Sequence, residues 1–330
     1  MTTENIPTLV SISQYITLYV GSAIFIAGVI GSFLNIIIFL GLRTFRENSC
    51  VFYLIFMSFV NIGNLMAGLL SRIMISGFKL DWTLISPVYC KLRWYGLQFG
   101  VLTSFTCTCL AAIDQYMCTN ARLEWRQWST TNVAHRLILI MTIAWLLHGV
   151  PYLIYFNLVQ APITGGISCA SDNLAFQQYH TYGYLIILAG VIPLIITCIF
   201  GLLARNNVHQ LAHRTVPLVQ RSLDKQLTNM VLHQILFNFI FTFPYTFHTI
   251  LTSFPYDIKD PDILAKLDFV NVITILFYYL SFAGPFYIYT CTSERFRQQI
   301  IYVLLNVHLK RWQRPIIQIN QVAPTSHENP

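Results

Sequence analysis

Long apolar runs, interrupted at regular intervals by short charged or turn-rich stretches, dominate this chain. About 20 consecutive apolar residues are needed to cross the hydrocarbon core of a bilayer as a helix. Seven runs of that kind stand out, over roughly 16–42, 51–76, 88–118, 135–159, 180–204, 226–254 and 266–291. Pro151, Pro193, Pro244 and Pro285 fall inside the last four. A membrane helix tolerates such kinks because its neighbours satisfy the freed backbone groups. The pattern predicts an all-α membrane protein, a seven-transmembrane helix bundle. After the seventh run, SERFRQQIIYVLLNVHLKRW places Phe296, Ile300, Val303 and Leu304 at helical spacing with basic residues between them. This predicts an amphipathic surface helix over 292–312. Residues 1–15 and the polar segment 313–330 are expected to lie outside the bundle, the latter as a disordered tail.

Composition changes the picture little. The chain is 55% hydrophobic and only 10% charged, where a soluble domain carries about 25% charged residues. The net charge of +7 raises nucleic acid as a partner. The basic residues are dispersed between apolar runs, however, so the expected partner is a lipid bilayer and not nucleic acid. Arg43, Arg46, Arg122, Arg126, Arg136, Arg205, Arg214, Arg221, Lys225, Arg295, Arg297, Lys310, Arg311 and Arg314 gather on one side of the runs, against Arg72, Lys79, Lys91, Arg93, Lys259 and Lys266 on the other. Asp81, Asp172, Asp257, Asp260, Asp262 and Asp268 gather on the other. Cytoplasmic loops carry the excess of Lys and Arg. The expectation is a multi-pass plasma-membrane protein with its N-terminus extracellular.

Of eight cysteines, only Cys90 and Cys169 fall on the expected outer side. That side is oxidising, so a disulfide between them is expected, pinning the loop between spans four and five over the bundle mouth. Cys107 and Cys109 are two apart on a helix and point to different faces. His209 and His213 can share a helix face, but no third ligand accompanies them and no metal site is expected. No Gly-rich phosphate loop, HExxH or nucleophile elbow occurs, so neither an enzyme nor a cofactor is expected.

Over roughly residues 15–310 the chain resembles a rhodopsin-like G protein-coupled receptor. The resemblance rests on Asn35 in span one, Asp81-Trp82 in the first outer loop, Cys90 and Cys169, and Trp145 in span four. It rests further on Pro193, Pro244 and Pro285 in spans five to seven, Phe296 after them, and Asp114-Gln115-Tyr116 at the end of span three. It implies a receptor that switches between two packings and engages a heterotrimeric G protein, with arrestin as a further candidate partner. Asp114, Gln115, Tyr116, Pro244, Pro285 and Tyr289 are the implied coupling and switch positions.

The departures from the family pattern are as informative. Asn61 stands where the family has a sodium-anchoring acid, which implies weak or absent sodium binding. Phe241-Thr242-Phe243-Pro244 lacks the span-six tryptophan, and Gly201 replaces the inner tyrosine of span five. Gly284-Pro285 is followed by Tyr287 and Tyr289, with Ile288 at the tyrosine place of the motif. Gln115 replaces an arginine that pairs with the adjacent acid at rest and meets the G protein on activation. It keeps hydrogen-bonding capacity and loses the charge. Arg122, Arg126 and Arg136 are the candidate substitutes as partners of Asp114. Two readings stay open, a receptor that still couples and a non-signalling or decoy receptor. A seven-span transporter or channel is a third, disfavoured by the scarcity of charges in the span centres and the absence of an internal repeat.

Leu97, with Gln98 beside it, occupies the place where amine receptors carry an aspartate, and no lysine lies in span seven to hold retinal. A peptide ligand fits best. The acidic stretch DIKDPDILAKLD would attract a basic ligand. Trp94, Tyr152 and Tyr245 lie near the outer ends of their spans as aromatic anchors, and His248 lies nearby. Arg72, about two-thirds along span two, is costly there, so it either faces the bundle or snorkels outward. Span two resembles that of invertebrate neuropeptide receptors of the FMRFamide-receptor-like kind.

Overall fold

The computed structural model describes residues 5–41, 43–160, 166–210, 218–253 and 260–303. Seven helices are long and apolar enough to cross a membrane: Pro7–Gly41, Ser49–Gly77, Pro87–Thr119, Thr131–Tyr155, Leu174–Val208, Leu223–Ser253 and Pro261–Ala283. They are spans one to seven. Their starts depend on local capping. Asn48 accepts from the backbone N–H of Cys50 at 2.9 Å to open span two, and Thr130 accepts from Val133 to open span four. Asp260 caps span seven by accepting from Asp262, with Pro261 in the first turn, where its missing N–H costs nothing.

Span three runs through the middle of the bundle and is the most buried of the seven, whereas span four is peripheral. Leu139, Ile140, Leu147 and Ile154 on span four and Ile195 and Ile199 on span five are exposed. A contiguous apolar surface of this kind is unfavourable in water and suits lipid. The core falls into two clusters. One, around Phe39, Leu54, Met57, Ala111 and Tyr289, fills the end of the bundle that holds Gln115. The other, around Leu65, Leu102, Tyr152, Phe176 and Phe282, fills the opposite end. Glycines let the spans approach. A side chain at Gly28 would put its Cβ 2.6 Å from Leu65 and 2.7 Å from Ala283, so spans one, two and seven meet there.

The helices are less regular than a periodic reading expects. Leu65–Leu70 and Ile73–Gly77 in span two, and Tyr179–Val191 in span five, adopt wider π-helical turns. Each wide turn changes the direction in which the next side chains point, relative to an α-helix. Span seven breaks at Gly284 and resumes over Pro285–Thr292, because Pro285 cannot donate back into the helix. Gly284 is also where Phe237 of span six comes closest, at 2.5 Å from a notional Cβ.

The bundle also carries a two-stranded antiparallel hairpin, β1 (Phe156–Gln160) and β2 (Ile167–Ser171). Span four therefore ends at Tyr155, and the residues after it pair with β2 instead of extending the helix. Cys169 on β2 sits opposite Leu158 and is bonded to Cys90 at the start of span three, as the sequence implied. After span seven, Ser293 caps a short helix, Glu294–Ile301, by accepting from Phe296. Phe296 and Val303 are buried against the bundle. Leu304, the rest of the expected surface helix, the tail 313–330, His213 and the side chain of His209, and residues 257–259 of the acidic stretch lie outside the described residues.

Candidate functional site

Two regions, at the ends of the bundle, gather the polar side chains implied by the family pattern. The first is a cavity of about 340 Å³ at the hairpin end. Span two contributes Arg72, placed between the two π-helical stretches. Span three contributes Arg93, Trp94 and Leu97, and span six contributes Tyr245. Ser168 and Cys169 of the hairpin form part of its wall, so the disulfide fixes the shape of the mouth. Arg72 faces this cavity; its side chain is half-buried, with Nε enclosed. Trp94 stacks on Phe156 of β1, with ring centroids 4.8 Å apart.

Gln98, Tyr152 and His248 do not line that cavity. Gln98 bonds to His148 of span four at 2.6 Å, and His148 in turn meets the Tyr179 hydroxyl of span five. Tyr152 bonds to His180 at 3.0 Å and packs edge-on against Phe176. These side chains join spans three, four and five behind the cavity, where their aromatic bodies fill space and their polar ends find partners. His248 is buried on span six, and its Nε2 has no partner among the described residues. All three stand outside the cavity lining, and Gln98 and Tyr152 meet neighbouring helices instead.

Below the cavity, Asn61 joins three spans. Its amide nitrogen donates to the Phe282 carbonyl of span seven at 3.2 Å, and its oxygen accepts from Ser104 of span three at 2.6 Å. The position thus works as a neutral tie between helices. Thr242, at the place of the missing tryptophan, and Asn238 border a void of about 10 Å³. Thr242 Oγ1 and Asn238 Oδ1 have no partner among the described residues. Such a void has room for about one water, and these two atoms would bond it.

The second region is the opposite end of the bundle. Asp114 is buried, and its carboxylate accepts from Ser49 at 2.8 and 2.9 Å and from Ser129 at 2.9 Å. This corrects the expectation that Arg122, Arg126 or Arg136 replaces the missing arginine. Two hydroxyls, one opening span two and one in the loop before span four, hold the acid instead. Arg126 lies within electrostatic reach of Asp224, at the start of span six. Gln115 is buried too, and its Oε1 accepts from Thr228 of span six at 2.8 Å. Spans three and six are therefore closed on each other by a neutral hydrogen bond. Tyr116 packs against Phe200 of span five and Trp125 of the following loop.

On span seven, Ile288 is buried, but Tyr289 carries the polar link. Its hydroxyl donates to Gln234 Oε1 of span six, and Gln234 Nε2 reaches the Met57 sulfur of span two at 3.1 Å. Tyr287 turns outward and donates to the Ala27 carbonyl of span one. Pro244 sits within the span-six helix, and Pro285 restarts span seven. Sequence reasoning missed Ser49, Ser129, Thr228 and Gln234, which are ordinary polar residues until a partner is known. It also passed over Asp224, an acid opening an apolar span, and Arg93, a second basic residue lining the cavity, although both stand out by charge.

A groove of about 690 Å³ also runs along the flank between spans five and six, where Gly201 takes the place of a larger residue. Its walls include the exposed Leu202, Leu236 and Phe239, which suit lipid, and it reaches Arg205, Lys225 and Thr228 toward the Gln115 end.

Seven spanning helices, a cavity under a disulfide-tied hairpin and a polar closure at the far end define a multi-pass membrane protein with the architecture of a receptor. The model of the 7 transmembrane receptor (rhodopsin) family matches residues 31–292, and the chain belongs to that family. No curated protein matches the chain.

Proposed function

We propose that the chain is a plasma-membrane receptor whose hairpin end, with the N-terminus, faces outward. It detects an extracellular ligand in the cavity under the hairpin, a peptide of the neuropeptide class, and engages a heterotrimeric G protein at the Gln115 end. Arrestin is a second partner for that end. The orientation is supported by the basic residues at the Gln115 end, Arg122, Arg126, Arg136 and Arg205 among them. The single observation that carries the reading is the Gln115–Thr228 hydrogen bond. It closes spans three and six without an ion pair, so the closed packing can still be exchanged for an open one when a ligand favours the latter.

A decoy receptor of the same fold is the second reading, favoured by the neutral Gln115 and by Thr242 at the tryptophan place. G protein activation in membranes separates the two, comparing the natural chain with Gln115→Arg across a peptide library. A response of the natural chain is expected. A response confined to Gln115→Arg overturns coupling and establishes the decoy.

A further inference from the structure

Three buried donors border the cavity under the hairpin without a hydrogen-bond partner among the described residues: Arg72 Nε, Arg93 Nε and Trp94 Nε1. Two of them belong to guanidinium groups that are always charged. Neither arginine forms an ion pair with a described carboxylate; the Lys266–Asp262 pair, on the exposed start of span seven, lies outside the cavity. Asp81 lines the same cavity, but its Oδ1 accepts from the backbone and hydroxyl of Thr83, capping a short turn. Asp268 is the carboxylate within electrostatic reach of Arg72. Asp268 is exposed on span seven. At the floor, the Asn64 amide is buried with both its nitrogen and its oxygen unpaired. Both guanidinium groups are half-buried with enclosed Nε atoms, Arg93 lies over the Trp94 ring at 5.6 Å, and an arginine within a span without a counter-ion is unfavourable. The walls beside the arginines are aromatic, with Trp94, Tyr245, Tyr278 and Phe282.

We infer that this cavity takes a ligand that brings a carboxylate to Arg72 and Arg93, with an aromatic or aliphatic body against the tyrosines. Arginine presents a planar fork that matches a carboxylate in two parallel hydrogen bonds. The inference rests on the reading of this cavity as the ligand site and adds the charge the ligand must carry. A peptide with a free C-terminus or a small organic acid supplies the same group.

The test uses the full chain in lipid nanodiscs and four probes: N-acetyl-phenylalanine, its amide, phenylpropionate and phenylpropionamide. Binding is read by the ligand concentration that half-saturates the thermal shift. Each acid is expected to bind at least about tenfold tighter than its amide, as fits a charge-assisted bond in place of a neutral one. Arg72→Gln and Arg93→Gln each erase most of that preference, while Lys266→Gln, outside the cavity, retains it. A tighter N-acetyl-phenylalanine than phenylpropionate identifies a peptide terminus as the source, and the reverse identifies a small acid. Equal behaviour of acid and amide, the absence of a response to both included, overturns the inference. So does a preference that survives the double substitution. G protein activation by the peptide library is scored separately. Peptide responses that ignore C-terminal amidation sink the carboxylate and leave the receptor reading standing. An acid preference with no G protein response does the opposite.

Discussion

Replacing Thr228 by valine tests the closure between spans three and six directly. The Thr228 hydroxyl donates to Gln115 Oε1 at 2.8 Å, and both side chains are almost completely buried. Gln115 Nε2 already lacks a partner, and the other described contact of Oε1 is the Cys118 thiol at 3.9 Å. Valine fills the same space and removes the donor, leaving a buried amide oxygen nearly unpaired. A loss of that kind costs about 1–3 kcal/mol. The cost falls on the closed packing alone, because opening that end lets water reach the amide. From a resting open population of about 1%, a shift of about 1.4 kcal/mol gives roughly tenfold more open receptor, near 9%. Spin labels on the ends of spans three and six measure the distance distribution whether or not a G protein is present. Basal nucleotide exchange at matched surface expression is the second readout. Thr228→Ser keeps the hydroxyl and should behave as the natural chain. An unchanged distance distribution in Thr228→Val, in protein that still folds, refutes the idea that this bond holds the bundle closed.

Other substitutions probe different links. Ser49→Ala combined with Ser129→Ala strips Asp114 of its described donors and should lower thermal stability by about 2–5 kcal/mol; a melting curve within a degree of the natural chain contradicts that account. Gly28→Leu inserts a side chain where spans one, two and seven touch, and folded protein at the surface should fall severely. Cys169→Ser releases the hairpin from span three; by loop entropy over the 79-residue separation the bond contributes about 4–5 kcal/mol, and both melting temperature and probe binding should drop. Tyr289→Phe breaks the link through Gln234 to Met57, and the distance between spans two and six should broaden, whereas Tyr287→Phe should leave it unchanged.

The spans were legible because the bilayer enforces length and apolarity on each of them, and the disulfide was legible because only two cysteines lie near the hairpin end. Rotation was not legible. Leu97 and Gln98 are neighbours in sequence, yet one lines the cavity and the other bonds to His148. The wide turns on either side of Arg72 leave no periodic signature in a run that is apolar nearly all round. The break at Gly284 explains why Tyr289 supplies the hydroxyl that a strict motif would seek at Ile288. The hairpin was hidden for another reason. FNLVQ comes directly after an apolar helix without a breaker, and its strand character arises from pairing with ISCAS beyond the loop.

The Cys90–Cys169 bond also orders the making of the molecule. Synthesis proceeds at about 5–20 residues per second, so Cys90 exists for roughly 4–16 seconds before Cys169 is added, 79 residues later. Spans three and four are made within that interval, and the ring closes around them. Cys50, Cys107, Cys109, Cys118, Cys198 and Cys291 all lie within the bundle or toward its Gln115 end. With the hairpin end outward, Cys90 therefore has one partner on its side of the membrane and no alternative pairing to undo. The bond acts as a checkpoint in biogenesis: it cannot form until four of the seven spans have been made.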